Sequence, residues 1–298
     1  MPNYRLPLTV ISLALLAAAC GASGAASPSG PASPSASAAP PSQEGIEHPT
    51  GATDVVLQLE QGGGFVPIDF LANQAPVFTL FGDGRVVFQP KLETFPEAGP
   101  DGVVHGAPWR TAELDAGQVD ELLTFALGPG GLGTARENYG HDGIADASSS
   151  NFTINAGGLQ KVVSVYALGV EDPNTPDLPA RRAFQKLSDR LSDFDQGGTI
   201  STDVYLPAGF RAVLIEREGD PTAKPMAWPW PELKVSDFKA NVNAAGGSQL
   251  PHRTMTAVEV LGLKLGDLPG GAQGITLAGT DAKTYSLVLR PLLPNETD

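Results

Sequence analysis

Four histidines, one cysteine and 33 carboxylates are the side chains of this 298-residue sequence with the most chemistry in them. His48, His105, His141 and His252 are scattered, with none of the H-x-x-x-H or H-E-x-x-H spacings that set two imidazoles on one helix face over a metal. The densest polar cluster is Tyr139-Gly140-His141-Asp142-Gly143-Ile144-Ala145-Asp146, where His141, Asp142 and Asp146 could hold a cation. A glycine-rich surface loop with solvated acids explains the same residues, and the EF-hand and zinc spacings are missing. No G-x-S-x-G elbow is present for serine nucleophile chemistry, so Ser148-Ser149-Ser150 reads as a polar turn ahead of a strand. Gly128-Pro129-Gly130-Gly131-Leu132-Gly133 follows a helical pattern, whereas phosphate-cradling loops precede one, and Gly62-Gly63-Gly64 leads to no Lys-Ser or Lys-Thr. Asp69, Asp83 and Asp101 are among many carboxylates, and spacing alone selects no acid/base pair from them. These residues therefore supply no catalytic assignment, no metal and no cofactor.

Cys20 is the lone cysteine, and its position gives it a meaning. Residues 1–19 carry one charged side chain, Arg5, then an apolar run over 6–19 that ends in Ala17-Ala18-Ala19. A basic start, a short apolar core and small residues are the parts of a secretory signal. The run is shorter than the ~20 apolar residues a transmembrane helix needs. Leu16-Ala17-Ala18-Ala19-Cys20 resembles the lipobox of bacterial lipoproteins, whose cysteine is diacylated and becomes the mature N-terminus. It departs from that pattern by carrying Ala17, not Leu, Val or Ile, three residues before the cysteine. Ala17-Ala18-Ala19 also satisfies A-x-A cleavage, which would release a secreted protein with a free thiol. The expectation is a membrane partner through two acyl chains on Cys20, enough for stable anchoring where one is marginal.

Residues 21–45, GASGAASPSGPASPSASAAPPSQEG, hold one charge, Glu44, and no bulky apolar side chain. Such a segment buries too little surface to offset its ordering entropy and reads as a stalk. Its prolines at 28, 31, 34, 40 and 41 favour extension, to a reach of about 75 Å at ~3.1 Å per residue. Loss of the signal removes Arg5 and leaves 18 basic against 33 acidic side chains, a formal charge of −15. That balance opposes nucleic-acid binding, which needs clustered Lys and Arg, and electrostatic adhesion to an anionic bilayer. With no cysteine after position 20, the folded part relies on an ordinary core.

The elements that must build that core are legible in part. Residues 55–60 alternate as a strand. Residues 77–81 and 85–88 flank Gly82-Asp83-Gly84, the composition of a tight hairpin. Asp115 caps a helix whose Val119, Leu122, Leu123, Ala126 and Leu127 share one face, ended by Gly128-Pro129. Residues 151–155 and 161–167 form a second hairpin over Gly157-Gly158. A second helix spans about 179–194, with Pro179 at its first position and Ala180, Phe184, Leu187, Leu191 and Phe194 on one stripe. The fold class expected is α+β: antiparallel hairpins with two amphipathic helices packed on one face over 46–198, then a mainly β part over 199–298. Strands are expected there at 203–206, 210–216, 255–264, 274–278 and 283–290. The order leaves open whether that part is a separate domain or an extension of the first sheet.

The run EHPTGATDVVLQLEQGGGFVP, then FTLFGDGRVVF, then FTINAGG and VSVYALG, resembles a group of uncharacterised lipoproteins of high-GC (actinobacterial-type) bacteria. The closing YSLVLRPLLPNE is similar to the C-terminal end of the same group. The resemblance covers most of residues 46–298; it implies a place at the outer face of the cell membrane and no activity. One binding hint comes from the residues themselves: Trp228-Pro229-Trp230 stiffens two of the three tryptophans in a loop. The pair could present flat rings to a ligand or protein of the envelope, or plug the core between the two parts, and Trp109 beside Pro108 has the same ambiguity. The expected function is non-catalytic binding by a tethered ectodomain. An envelope enzyme with a site assembled from distant residues and a structural accessory protein are the alternatives.

Overall fold

In the computed structural model, which describes residues 45–218, 224–240 and 250–296, the polypeptide alternates hairpins with helices. The signal, Cys20 and all of the stalk but Gly45 lie outside the described residues. Strand β1 (Val55–Gly62) is followed by a short helix, α1 (Ile68–Ala72), and the hairpin β2 (Pro76–Phe81) and β3 (Arg85–Phe88). Gly84 at that turn has φ +86, and a Cβ there would come within 2.6 Å of the Leu114 carbonyl oxygen, so the hairpin tip requires glycine. Then come β4 (Val104–His105), β5 (Arg110–Glu113), helix α2 (Ala116–Leu127), β6 (Asn138–Tyr139), the hairpin β7 (Ser149–Ala156) and β8 (Leu159–Tyr166), and helix α3 (Leu178–Ser192).

Asp115 caps α2 as its position foretold: its carboxylate accepts from the Gln118 N–H while the Gln118 side chain accepts from the Asp115 N–H. Helix α3 begins one residue earlier than expected, at Leu178, so Pro179 takes the second helical position. Both helices lie on one face of an eight-stranded sheet of order β6-β8-β7-β1-β2-β3-β5-β9, where β9 is Asp203–Val204. Leu57, Leu59, Phe78, Leu80, Phe152 and Ile154 of the sheet meet Leu122, Leu123, Phe184 and Leu187 of the helices there. Phe194 closes the far end against Phe78 and Phe88, with ring centroids 5.2 and 5.3 Å away.

The remaining chain builds a second sheet of order β11-β13-β14-β10-β12 from β10 (Gly209–Arg217), β11 (Met226–Ala227), β12 (His252–Thr256), β13 (Ala272–Ala278) and β14 (Thr284–Pro291). Pairing is antiparallel except for β6 with β8 and β11 with β13. The protein is thus α+β with a β-rich C-terminal part. One expectation fails here: residues 255–264 are not a strand. The strand stops at Thr256, which caps helix α4 (Ala257–Leu261) in a reciprocal box with Glu259. The β-branched Val258 and Val260 suggested extension, and the T-x-x-E start signal overrode them. Strand β9 is likewise shorter than 203–206, and Leu206 is exposed. Ser149 and Ser150 belong to β7 instead of a turn, with Ser150 buried.

Residues 44–298 form one compact unit, and strands cross between its sheets. β4, from the N-terminal part, pairs with β13, while β9, from the C-terminal part, pairs with β5. Within the first sheet, the fully buried Arg181 on α3 donates to the carbonyls of Tyr166 (3.0 Å), Tyr139 (3.3 Å) and Gly140 (2.6 Å), and pairs with Glu171 at 3.4 Å. It gathers β6, β8 and two loops onto one guanidinium. Arg181→Met is expected to destabilise the protein by about 3–5 kcal/mol, because the carboxylate and carbonyls it satisfies stay behind unanswered. A urea titration followed by tryptophan fluorescence reads this, and a loss under about 1 kcal/mol would contradict the role.

Candidate functional site

Period-2 alternation gives each sheet a second face, and the site lies where the two second faces meet. In β1, Leu57 and Leu59 point to the helices, so Gln58 and Glu60 point away from them. In β10, Phe210, Ala212 and Leu214 join the core of the second sheet, leaving Arg211, Val213 and Ile215 on its other side. β14 divides in the same way, Leu287 and Leu289 against Ser286, Val288 and Arg290.

Two apolar clusters fill the ends of this inter-sheet space. Phe81, Val87, Trp109, Tyr205 and Leu293 form one, and Ala72, Val213, Ile215 and Val288 the other. Between Leu293 of the first and Ala72 of the second opens a cavity of about 220 Å³ with strongly polar walls. Gln58 and Glu60 supply one wall, Arg211 and Arg290 the facing one, and Gln74, Asn295 and Glu296 the rim. A hollow of about 580 Å³ over the β7–β8 hairpin is larger, but its only cation among the described residues, Lys161, already donates to the Ala135 carbonyl at 2.6 Å.

Arg211 and Arg290 stand directly opposite each other in the β10–β14 register. Like charges so placed repel, and the fold answers with carboxylates. Glu296 takes Arg290 in a two-pronged ion pair, at 2.8 and 2.9 Å, and also accepts the Leu293 N–H at 2.8 Å. This fork holds the chain end against the sheet. The Arg290 Nε–H is buried without a hydrogen-bond partner. Glu60 is half-buried at the opposite wall and makes no ion pair among the described residues. Beside this site, the Tyr205 hydroxyl donates to the Leu292 carbonyl at 2.7 Å. Burial pushes that phenol up to about 12, with Arg85 pulling against it and Glu296 adding to it.

Helix α1 roofs the cavity. Its Asp69 is ion-paired with Arg217 and accepts from Ser286 at 3.2 Å, which pins the helix to the second sheet. Ala72 and Leu71 line the cavity from above. The remainder of α1 and the residues before it are apolar and open to solvent: Phe65 is 91% exposed and Phe70 53%.

The residues singled out from sequence go elsewhere. Trp230 is 7% exposed and Trp228 partly buried; their rings meet edge-to-face at 5.3 Å inside the second sheet's core. Their indole N–H groups are spent on the Glu259 and Leu233 carbonyls, both at 2.7 Å. The pair fills a core instead of presenting a binding surface, because a proline-stiffened loop folds back onto β13 and α4. Trp109 is buried against Tyr205 at 6.4 Å. His141 contacts the Asp142 carbonyl and the Thr175 hydroxyl, and no group of three potential metal ligands comes together among the described residues. Asp69, Asp83 and Asp101 are each engaged in their own ion pair or turn.

No protein-family model, curated protein or solved structure matches this chain. What the arrangement can do rests on its own chemistry. Among the described residues, the polar groups that line the cavity are guanidinium, carboxylate and side-chain amide groups. Its fixed charges and amides are suited to holding a small polar group.

Two phenols outside the cavity give the protein a pH signature. Tyr205 is raised from 10.0 to about 12, and burial raises Tyr285 as well, with its hydrogen bond to Asp281 adding to the effect. A raised folded value means that stability is fully present below pH 10 and falls as pH climbs towards 12, where only the unfolded chain has released the proton. Thermal midpoints between pH 8 and 12 are expected to hold to about pH 10 and then drop. Tyr205→Phe, although less stable at neutral pH, shows a shallower drop; an unchanged slope would contradict the assignment.

Proposed function

We propose that this protein is a lipid-anchored extracytoplasmic binding protein, held at the outer face of the cell membrane by two acyl chains on Cys20. The observation that carries the reading is the order of the sequence ahead of a compact unit that contains a charged cavity. The sequence before that unit has the order of a secretory signal, a cysteine and a Pro/Ser/Ala spacer. No helix among the described residues is long and apolar enough to cross a membrane, which is compatible with attachment through lipid. The resemblance to lipoproteins of high-GC bacteria points the same way. The partner of the folded part is an envelope ligand small enough for the inter-sheet cavity, and the reading involves no cofactor and no nucleic acid.

Intact-mass analysis and detergent partitioning of the native protein, beside Cys20→Ala, test the anchor. A diacylglyceryl mass increment and detergent-phase partitioning, both lost with the substitution, are expected. A free thiol at Cys20 with the protein in the medium would overturn it and leave the secreted alternative.

A further inference from the structure

The two ends of the first sheet differ in kind. β1, β3 and β9 run in one direction, since a single antiparallel strand separates each from the next. Their C-terminal ends therefore lie at the same end of the sheet, and the chain leaving them carries Phe65 and Phe70, then Phe95, then Leu206. Phe65 is 91% exposed, Phe95 85% and Leu206 81%. β8 runs the same way through β7, and Val170 beyond it is also in solvent. Among the described residues, the other large apolar side chains more than half exposed are Val258 and Leu261 on α4. That pair adjoins the same end, because Thr256 before α4 lies opposite Gly209, three residues after Leu206. The opposite end of the sheet is polar. Its turns are Gly82-Asp83-Gly84 and Gly157-Gly158, and residues 47–54 run beside them, with the Gly157 N–H donating to the Glu47 carbonyl at 2.8 Å and the Gly82 N–H to the Asp54 carbonyl at 2.9 Å. Scattered singly, exposed apolar side chains need no explanation; gathered at one end they do.

The degree of exposure also says what covers this end. A ring with that much of its surface in water rests against no neighbour, so the tips do not merge into the continuous, well-packed patch that a folded partner needs. Strands lie about 4.8 Å apart, and β1, β3 and β9 are two steps from one another, so their loops start roughly 10 Å apart. Separated tips suit a surface that flows around each of them, the headgroup layer of a lipid, where apolar side chains bury to a depth of about 5–10 Å. Charge selects the lipid. Asp69, between Ile68 and Phe70, is neutralised by Arg217. Glu93 and Glu97 bracket Phe95, are exposed, make no ion pair among the described residues, and with Lys91 leave their loop net negative. Those carboxylates repel an anionic lipid and attract the ammonium that is outermost on a zwitterionic head.

We infer that this end of the first sheet docks onto a lipid surface with zwitterionic headgroups, Phe65, Phe95 and Leu206 entering the headgroup layer. The inference goes beyond the binding reading above and rests on neither the cavity nor the acyl anchor. The test uses Cys20→Ala protein, which holds no other cysteine, so that one new cysteine carries an environment-sensitive dye. Phe65→Cys, Phe95→Cys and Leu206→Cys place the dye at the three tips, and Thr53→Cys, an exposed position at the polar end, is the control. With phosphatidylcholine vesicles the tip dyes are expected to shift to the blue and to be quenched by spin-labelled acyl chains, while the dye at position 53 does neither. In the same background, Phe65→Ser with Phe95→Ser should weaken co-sedimentation with these vesicles at least tenfold, since the burial of two aromatic rings is lost. Circular dichroism should be unchanged, because neither ring packs against the fold. Replacing half of the lipid with phosphatidylglycerol should weaken binding as well, most of all at low salt.

Vesicles that leave all four dyes unchanged would overturn the inference, as would a shift at position 53 equal to that at the tips. Tighter binding to the vesicles that contain phosphatidylglycerol would overturn the choice of headgroup. Self-association of the unlabelled protein that the two serines abolish, without vesicle binding, would give this end to a second copy of the chain instead. Every sample lacks Cys20, so failure of the acyl anchor and failure of this surface are read separately.

Discussion

Each sheet of this protein has a face that its own helices leave bare, and the pairing of those two faces is the constraint on which the rest depends. α2 and α3 cover only one side of the larger sheet, and α4 with the Trp228–Trp230 loop covers only one side of the smaller. Phe81 and Val87 on one, Val213, Ile215 and Val288 on the other, would stand in water if the sheets parted. The strands enforce the pairing. β4 leaves the N-terminal part to extend the second sheet, β9 returns to extend the first, and Tyr205 directly after β9 reaches Leu292 with its hydroxyl. With a single cysteine in the sequence no disulfide can form within the chain, and this exchange of edges does the work a crosslink does in small disulfide-bonded domains.

Much of this was legible in the sequence because the helices and hairpins are locally specified. The capping residue Asp115, the glycine pair at 157–158 and the stripe from Phe184 to Leu191 say what they do without help from the rest of the chain. What sequence reading misses is set by partners distant along the chain. β4 and β9 are two residues each and exist only because an edge was waiting for them. Residues 257–261 look like strand until the reciprocal bonds of Thr256 and Glu259 are seen.

The cavity was the least legible part, for a related reason. Gln58 and Glu60 alternate with buried leucines, which in isolation describes a solvated face. They are inward-facing only because a second sheet covers them. The signal that could have found them lies in the runs VFTLF and YSLVLRP: both are apolar on alternate and intervening positions, the pattern of strands covered on both sides. β7, by contrast, alternates polar and buried residues and keeps its outer face in the open. An arginine inside such a doubly covered run, as Arg290 is, must meet a carboxylate or a ligand, and here Glu296 comes from the chain's own end.

That arginine argues for use over stability. Two guanidinium groups opposite each other between packed sheets carry a desolvation penalty that a well-packed apolar pair would avoid, and replacing buried ion pairs with hydrophobes is often neutral or stabilising. The apolar alternative was within reach, since Val213 and Val288 occupy the next inward positions on the same two strands. A chain that relies on its core alone keeps charges at the one place in the inter-sheet space that also opens to solvent beside an uncovered apolar helix. Local choices that go against stability are expected where a site has to meet something other than its own fold. The charged cavity and the bare face of α1 break the same rule at the same spot.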